Sequence, residues 1–125
     1  MNLSDGEWKL MNRLWQGGPY TIMRLTEALK METGWSKHTV ITMLARLEAK
    51  GAVRHEEGER AKRYYPAVER GEISAAETES FLSRVYNGHL GGLVNAMVDQ
   101  KALSKQEIDE LYEILRRAGT TEERS

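Results

Sequence analysis

The chain has 125 residues, no cysteine, a formal net charge of −1 and 40% apolar residues, three of them tryptophan. That is enough apolar material for one domain or two small modules and too little chain for a large enzyme. The missing thiols exclude a disulfide scaffold and a thiolate metal site and suit a reducing compartment. No apolar run approaches the roughly 20 residues of a membrane span, and the first residues lack the apolar stretch of a signal peptide, so a soluble cytoplasmic protein without membrane insertion is expected.

Ser4 and Glu7 form an S-x-x-E capping pattern that opens a first helix through Trp8, Met11, Leu14 and Trp15. Gly17-Gly18-Pro19 ends it. A second helix is expected from about Thr21 to Lys30, with Ile22, Leu25 and Leu29 on one face, and Gly34 breaks the chain after it. Ser36 then caps a third helix running to Leu47, with Val40, Met43, Leu44 and Leu47 on one side. His38, Thr42 and Ala45 fall opposite, flanked by Lys37, Thr39, Ile41 and Arg46. No Asp or Glu occurs between Glu32 and Glu48, so this face can approach phosphate without repulsion.

After Gly51 the pattern becomes two short extended segments, Ala52 to His55 and Lys62 to Val68, around the polar turn Glu56-Glu57-Gly58-Glu59-Arg60. Three helices and a hairpin make a winged helix, in which the third helix enters the major groove of DNA and the hairpin flanks it. Its contact set is expected to be Lys37, His38, Thr39, Ile41, Thr42 and Arg46 from the helix. Arg60, Lys62 and Arg63 would supply wing cations for the phosphates, with Lys50 and Arg54 as possible additions and at least one of Tyr64 and Tyr65 in the core. Charge follows the same division: residues 1–71 hold twelve basic and nine acidic side chains, residues 72–125 six and ten.

Beyond Gly71 the chain is helical again, with capping patterns at Ser74/Glu77 and Ser104/Glu107. Leu82 and Tyr86 accompany the apolar stripe residues Phe81, Val85, Leu93, Val94, Met97, Ile108, Leu111, Tyr112 and Leu115. Some fifty residues cannot enclose that much apolar surface. A second copy of the chain is the economical cover, and its two-fold symmetry suits a palindromic operator. The segment Asn87 to Gly92 lacks the Lys-Ser/Thr end of a phosphate loop and is expected to be a flexible joint. His38, His55 and His89 have no metal-ligand spacing, and no nucleophile motif is present. No catalytic residue, metal or cofactor is assigned, and an enzyme is not expected.

The ordered segments Gly6 to Trp15, Trp35-Ser36 through Thr39-Val40, Thr42, Arg46-Leu47 and Lys50-Gly51, then Val85-Tyr86, Leu93-Val94 and Leu103 to Leu111, give the chain a further reading. Along essentially its whole length it resembles the BlaI/MecI-type penicillinase repressors. The resemblance implies a dimeric winged-helix repressor of β-lactam resistance or related genes. Such a repressor sits on palindromic operators and is removed when a membrane sensor-metalloprotease pathway leads to its cleavage. The family cut follows a Leu-Val pair, typically between Asn and Phe, which corresponds here to Ala96 and Met97. Family members usually carry Arg where this chain has Ile41, so a different base edge is read there. The copper-responsive branch carries a cysteine cluster that this chain lacks.

The expected architecture is mainly α with a small β-hairpin wing. Residues 1–71 form a winged-helix DNA-binding domain, 72–118 a helical dimerisation domain and 119–125 a disordered tail. The competing reading is a winged-helix protein-interaction module without sequence-specific DNA binding.

Overall fold

A computed structural model describes residues 1–123, with side chains to residue 120. In chain order the elements are α1 (Asp5–Gly17), α2 (Ile22–Thr33), α3 (Lys37–Ala49), β1 (Val53–Glu56), β2 (Arg63–Pro66), α4 (Arg70–Tyr86), α5 (Leu90–Asp99) and α6 (Lys105–Glu123). They divide into two compact units, one from Met1 to Thr78 and one from Glu79 onward, so the boundary falls inside α4.

In the first unit Ser4 caps α1 as a complete box: its hydroxyl accepts from the Glu7 amide at 3.2 Å and Glu7 Oε1 accepts from the Ser4 amide at 2.8 Å. The buried face of α1, Leu10, Met11 and Leu14, packs with Leu25 and Leu29 of α2 and Val40, Leu44 and Leu47 of α3. Each of these side chains contributes roughly 1.5–3 kcal/mol of apolar burial. Gly34 holds the α2–α3 turn at φ 68°, a left-handed conformation that glycine adopts without a Cβ penalty. The Thr33 hydroxyl accepts from the Trp35 amide at 3.1 Å, and Ser36 then caps α3. This is the helix-turn-helix of the fold.

The hairpin is antiparallel, with Val53 opposite Pro66 and Glu56 opposite Arg63. Tyr20 forms an isolated bridge to Tyr64, which ties the α1–α2 connection to the wing, and Trp15 Nε1 donates to the Val68 carbonyl at 2.9 Å. Trp8 and Trp15 pack against the core with ring centroids 5.9 Å apart, and Trp35 lies against it beside α3.

Two local readings of the sequence are corrected. Helix α4 begins at Arg70, so Ser74 lies inside it and its hydroxyl donates to the Gly71 carbonyl rather than capping a helix start. Gly91 and Gly92 of the expected flexible joint lie instead in the first turn of α5, which has ten residues. The last helix runs to Glu123; residues 124 and 125 of the expected tail lie outside the described residues.

The Glu7 carboxylate, 3% exposed, also accepts from Lys50 Nζ at 2.6 Å, and the same ammonium donates to the Asn2 carbonyl. Lys50 is therefore a latch between the end of α3 and the start of α1, and not one of the wing cations as its sequence position suggests. Burial opposes ionisation of Glu7, but hydrogen bonds from Lys50 and Ser4 outweigh it and hold its carboxyl below the ordinary value of 4.5. A lowered folded-state pKa means stability that is present above the ordinary glutamate range and lost as pH falls through the folded value. Glu7→Gln should therefore cost about 1–3 kcal/mol at pH 7. Thermal melts from pH 7 to 3 should show the two proteins converging towards acid. Parallel curves would mean that the carboxylate contributes nothing through its charge.

Candidate nucleic-acid interface

Burial of Val40, Leu44 and Leu47 fixes the rotation of α3 and turns the opposite face outward. Lys37, His38, Ile41, Ala45 and Arg46 are exposed on it, and Thr39 and Thr42 are half-buried. Among the described residues Lys37, His38 and Arg46 have no side-chain hydrogen bond or ion pair, so their polar ends are available to a ligand. The Thr42 hydroxyl donates to the His38 carbonyl at 3.1 Å, and those of Ser36 and Thr39 lie 3.2 Å apart. Gly6 permits the approach of α1 to this element: a Cβ there would meet Met43 Cε at 3.0 Å and Trp35 Cζ2 at 3.2 Å.

The wing brings Arg60, Lys62 and Arg63 to the same unit, all exposed. Its charge is more balanced than the basic residues alone suggest. Arg63 lies opposite Glu56, and Arg54 is bound to Glu56 at 2.8 Å and lies 4.4 Å over the Tyr65 ring. Glu59 lines, with Arg60 and Arg63, a cleft that also reaches Thr21 at the start of α2. Arg54 is thus committed within the wing, whereas Arg60 and Lys62 have no ion pair among the described residues.

The role of His55 is visible only in the fold. Its Nδ1 pairs with Glu48 at the end of α3, its Nε2 lies 3.8 Å from Glu57, and its ring is 5.6 Å from that of Tyr64. One side chain therefore joins α3 to the wing. Burial, with the nearby charges of Glu48 and Glu57, raises the Tyr64 phenol above its ordinary value and keeps it neutral.

From Glu79 onward no described side chain is buried. Helices α5 and α6 instead form an open groove of about 340 Å³ lined by Leu90, Leu93, Val94, Met97, Leu103, Leu111 and Ile114, with Glu107 and Glu110 at its rim. Four residues of the expected dimer set, Leu93, Val94, Met97 and Leu111, lie in this groove. Phe81, Val85, Ile108, Tyr112 and Leu115 are exposed on α4 and α6. Leu90 and Ile114 were missed by the stripe reading, although both are apolar and in helical phase with the lining residues. Ala96 and Met97 sit within α5, half-buried and 38% exposed respectively. No group of three metal-ligating side chains occurs among the described residues, and no described helix is long and apolar enough to cross a membrane.

The penicillinase repressor family model matches residues 3–117. A penicillinase repressor of Bacillus licheniformis is 34% identical over 113 residues, covering 90% of this chain and 88% of that one. The methicillin resistance regulatory protein MecI of Staphylococcus aureus is 32% identical over 113 residues, covering 90% and 92%. Among solved structures, the monomeric form of Bacillus licheniformis BlaI in complex with the blaP half-operator superimposes with a TM-score of 0.51 at 29% identity, over 58% of this chain and 88% of that one.

Proposed function

The chain belongs to the penicillinase repressor family, whose members are repressors and not enzymes, and from this we propose that it is a cytoplasmic, homodimeric repressor that binds palindromic operators. The observation that carries the reading is the outward face of α3, acid-free and with its cations unpaired among the described residues, on a unit similar to one that binds a half-operator. Lys37, His38, Thr39, Ile41, Thr42 and Arg46 would enter the major groove. Arg60, Lys62 and Arg63 would meet the phosphates, and the helix contacts would carry the sequence information.

The coreless second unit supports dimerisation through Phe81, Val85, Leu93, Val94, Met97, Ile108, Leu111, Tyr112 and Leu115, because an exposed apolar groove and stripe need a cover. Release by cleavage between Ala96 and Met97, at the end of a membrane sensor-metalloprotease pathway, completes the proposal. The relatives are named for penicillinase and methicillin resistance, so genes of that class are the first targets to assay.

A salt titration tests the reading against a protein-interaction module. Neutralising phosphates releases counterions, and log affinity should fall against log salt with a slope of about −0.9 for each phosphate contacted. Three wing contacts per protomer, six in the dimer, would give a slope of about −5. A nearly flat titration would point to an apolar protein interface and end the DNA reading.

A further inference from the structure

We propose that Ile41 and Thr42 set the base preference of this chain, Ile41 by lying against a thymine methyl and Thr42 by accepting a hydrogen bond from an adjacent exocyclic amino group. The inference rests on the DNA-binding reading above. Ile41 is 41% exposed although its neighbour Val40 is fully buried, so it is on the outward face and contributes little to the core. An exposed isoleucine in a helix has no propensity advantage over lysine, glutamine or alanine. The outward residues flanking it on α3 are Lys37, His38, Thr42 and Ala45, and the one acid of the helix, Glu48, is two turns away and paired with His55.

In the major groove guanine offers two acceptors, cytosine a donor and adenine one of each, while thymine alone offers a methyl group. Isoleucine carries neither donor nor acceptor. Against guanine it would strip water from N7 and O6 and leave both unpaired, whereas against thymine it covers a group that water does not bind. Thr42 is restricted in a complementary way. Its single hydroxyl hydrogen is committed to the His38 carbonyl, so towards a base it presents lone pairs and a methyl. It can accept from adenine N6 or cytosine N4 and cannot donate to guanine or to thymine O4.

The test starts from duplexes selected out of a randomised pool by the full-length protein. The selected site is then resynthesised with deoxyuridine replacing each thymine in turn, which removes only the methyl. Fluorescence anisotropy should find a thymine in each half-site whose methyl is worth about three- to five-fold in affinity, the value of one buried methyl group. With Ile41→Ala that dependence should vanish, and Ile41→Arg should select guanine at the same position. Thr42→Val keeps the shape and removes the acceptor, so it should relax the preference at the adjacent pair and leave the methyl dependence intact. A site without methyl dependence, or one whose dependence survives Ile41→Ala, overturns the role of Ile41. An unchanged preference with Thr42→Val overturns that of Thr42. If the wild-type chain enriches no sequence, the DNA-binding reading itself falls, which separates the two failures. Circular dichroism melts of the variants confirm that each is folded.

Discussion

Thr42→Glu is expected to lower operator affinity by about three orders of magnitude while leaving the melting temperature and the oligomeric state almost unchanged. The side chain sits in the middle of the α3 face, and its hydroxyl bonds only to the backbone of its own helix, so little of the fold depends on it. A carboxylate at that point would face base acceptors and two rows of phosphates, and its i,i+4 pairing with Arg46 would draw that cation away from the DNA. One wrong base contact costs about 1–3 kcal/mol, and a desolvated like charge adds to that in both half-sites. About 4 kcal/mol corresponds to the thousand-fold loss. Anisotropy with the selected duplex, beside a thermal melt and sedimentation, measures all three quantities. Affinity within two-fold of wild type would remove α3 from the interface.

Separating residues 1–96 from the rest of the chain is expected to produce a folded monomer that binds a palindromic operator about 10²- to 10³-fold more weakly. All twelve buried apolar residues of the core lie between Leu3 and Ile73, so the fragment keeps what holds the first unit together. It loses α6 and one wall of the groove. Each half-site must then be occupied independently, without the effective concentration that a linked pair supplies. The expected cut lies in a helix of ten residues, but that helix has no side-chain N-cap bond and no buried residue. Just past it Lys101 holds φ 54°, a left-handed conformation unusual for a lysine, and just before it Asn87 turns the chain at φ 53°. Opening such a segment to the extended form that a protease requires therefore costs little. Sedimentation and anisotropy of the fragment decide the matter: a 1–96 chain that still dimerises and binds as tightly as the whole would exclude cleavage there as the release step.

The first three helices and the hairpin were legible because each is specified locally, by Ser4 and Glu7, by Gly34, and by apolar spacing on a period of 3.6. The failures share a physical cause, since an S-x-x-E match cannot report whether helix already precedes it. At Ser74 it does, because α4 has begun at Arg70. Gly91 and Gly92 read as breakers, yet a glycine costs a helix only about 1 kcal/mol, and the run Leu93 to Val98 outweighs it. Lys50 looked like a free cation because Glu7, its partner, is 43 positions away in sequence. His55 carried no signal for a different reason: Glu48 is only seven positions away, but the bond between them exists only once β1 has folded back on α3. The outward residues of α3 were legible, because the buried side of an amphipathic helix determines the other.

All three tryptophans lie in the first unit, Trp8 and Trp15 against the core and Trp35 at the entry to α3, while the second unit has tyrosine and phenylalanine but no tryptophan. The molecule is therefore optically partitioned. Its indole emission is a private signal of the half that carries the helix-turn-helix, blind to the loosening or parting of α5 and α6. A denaturation followed by that light reports one unit's cooperativity, and its difference from the far-ultraviolet dichroism of the whole chain isolates the other without any attached dye.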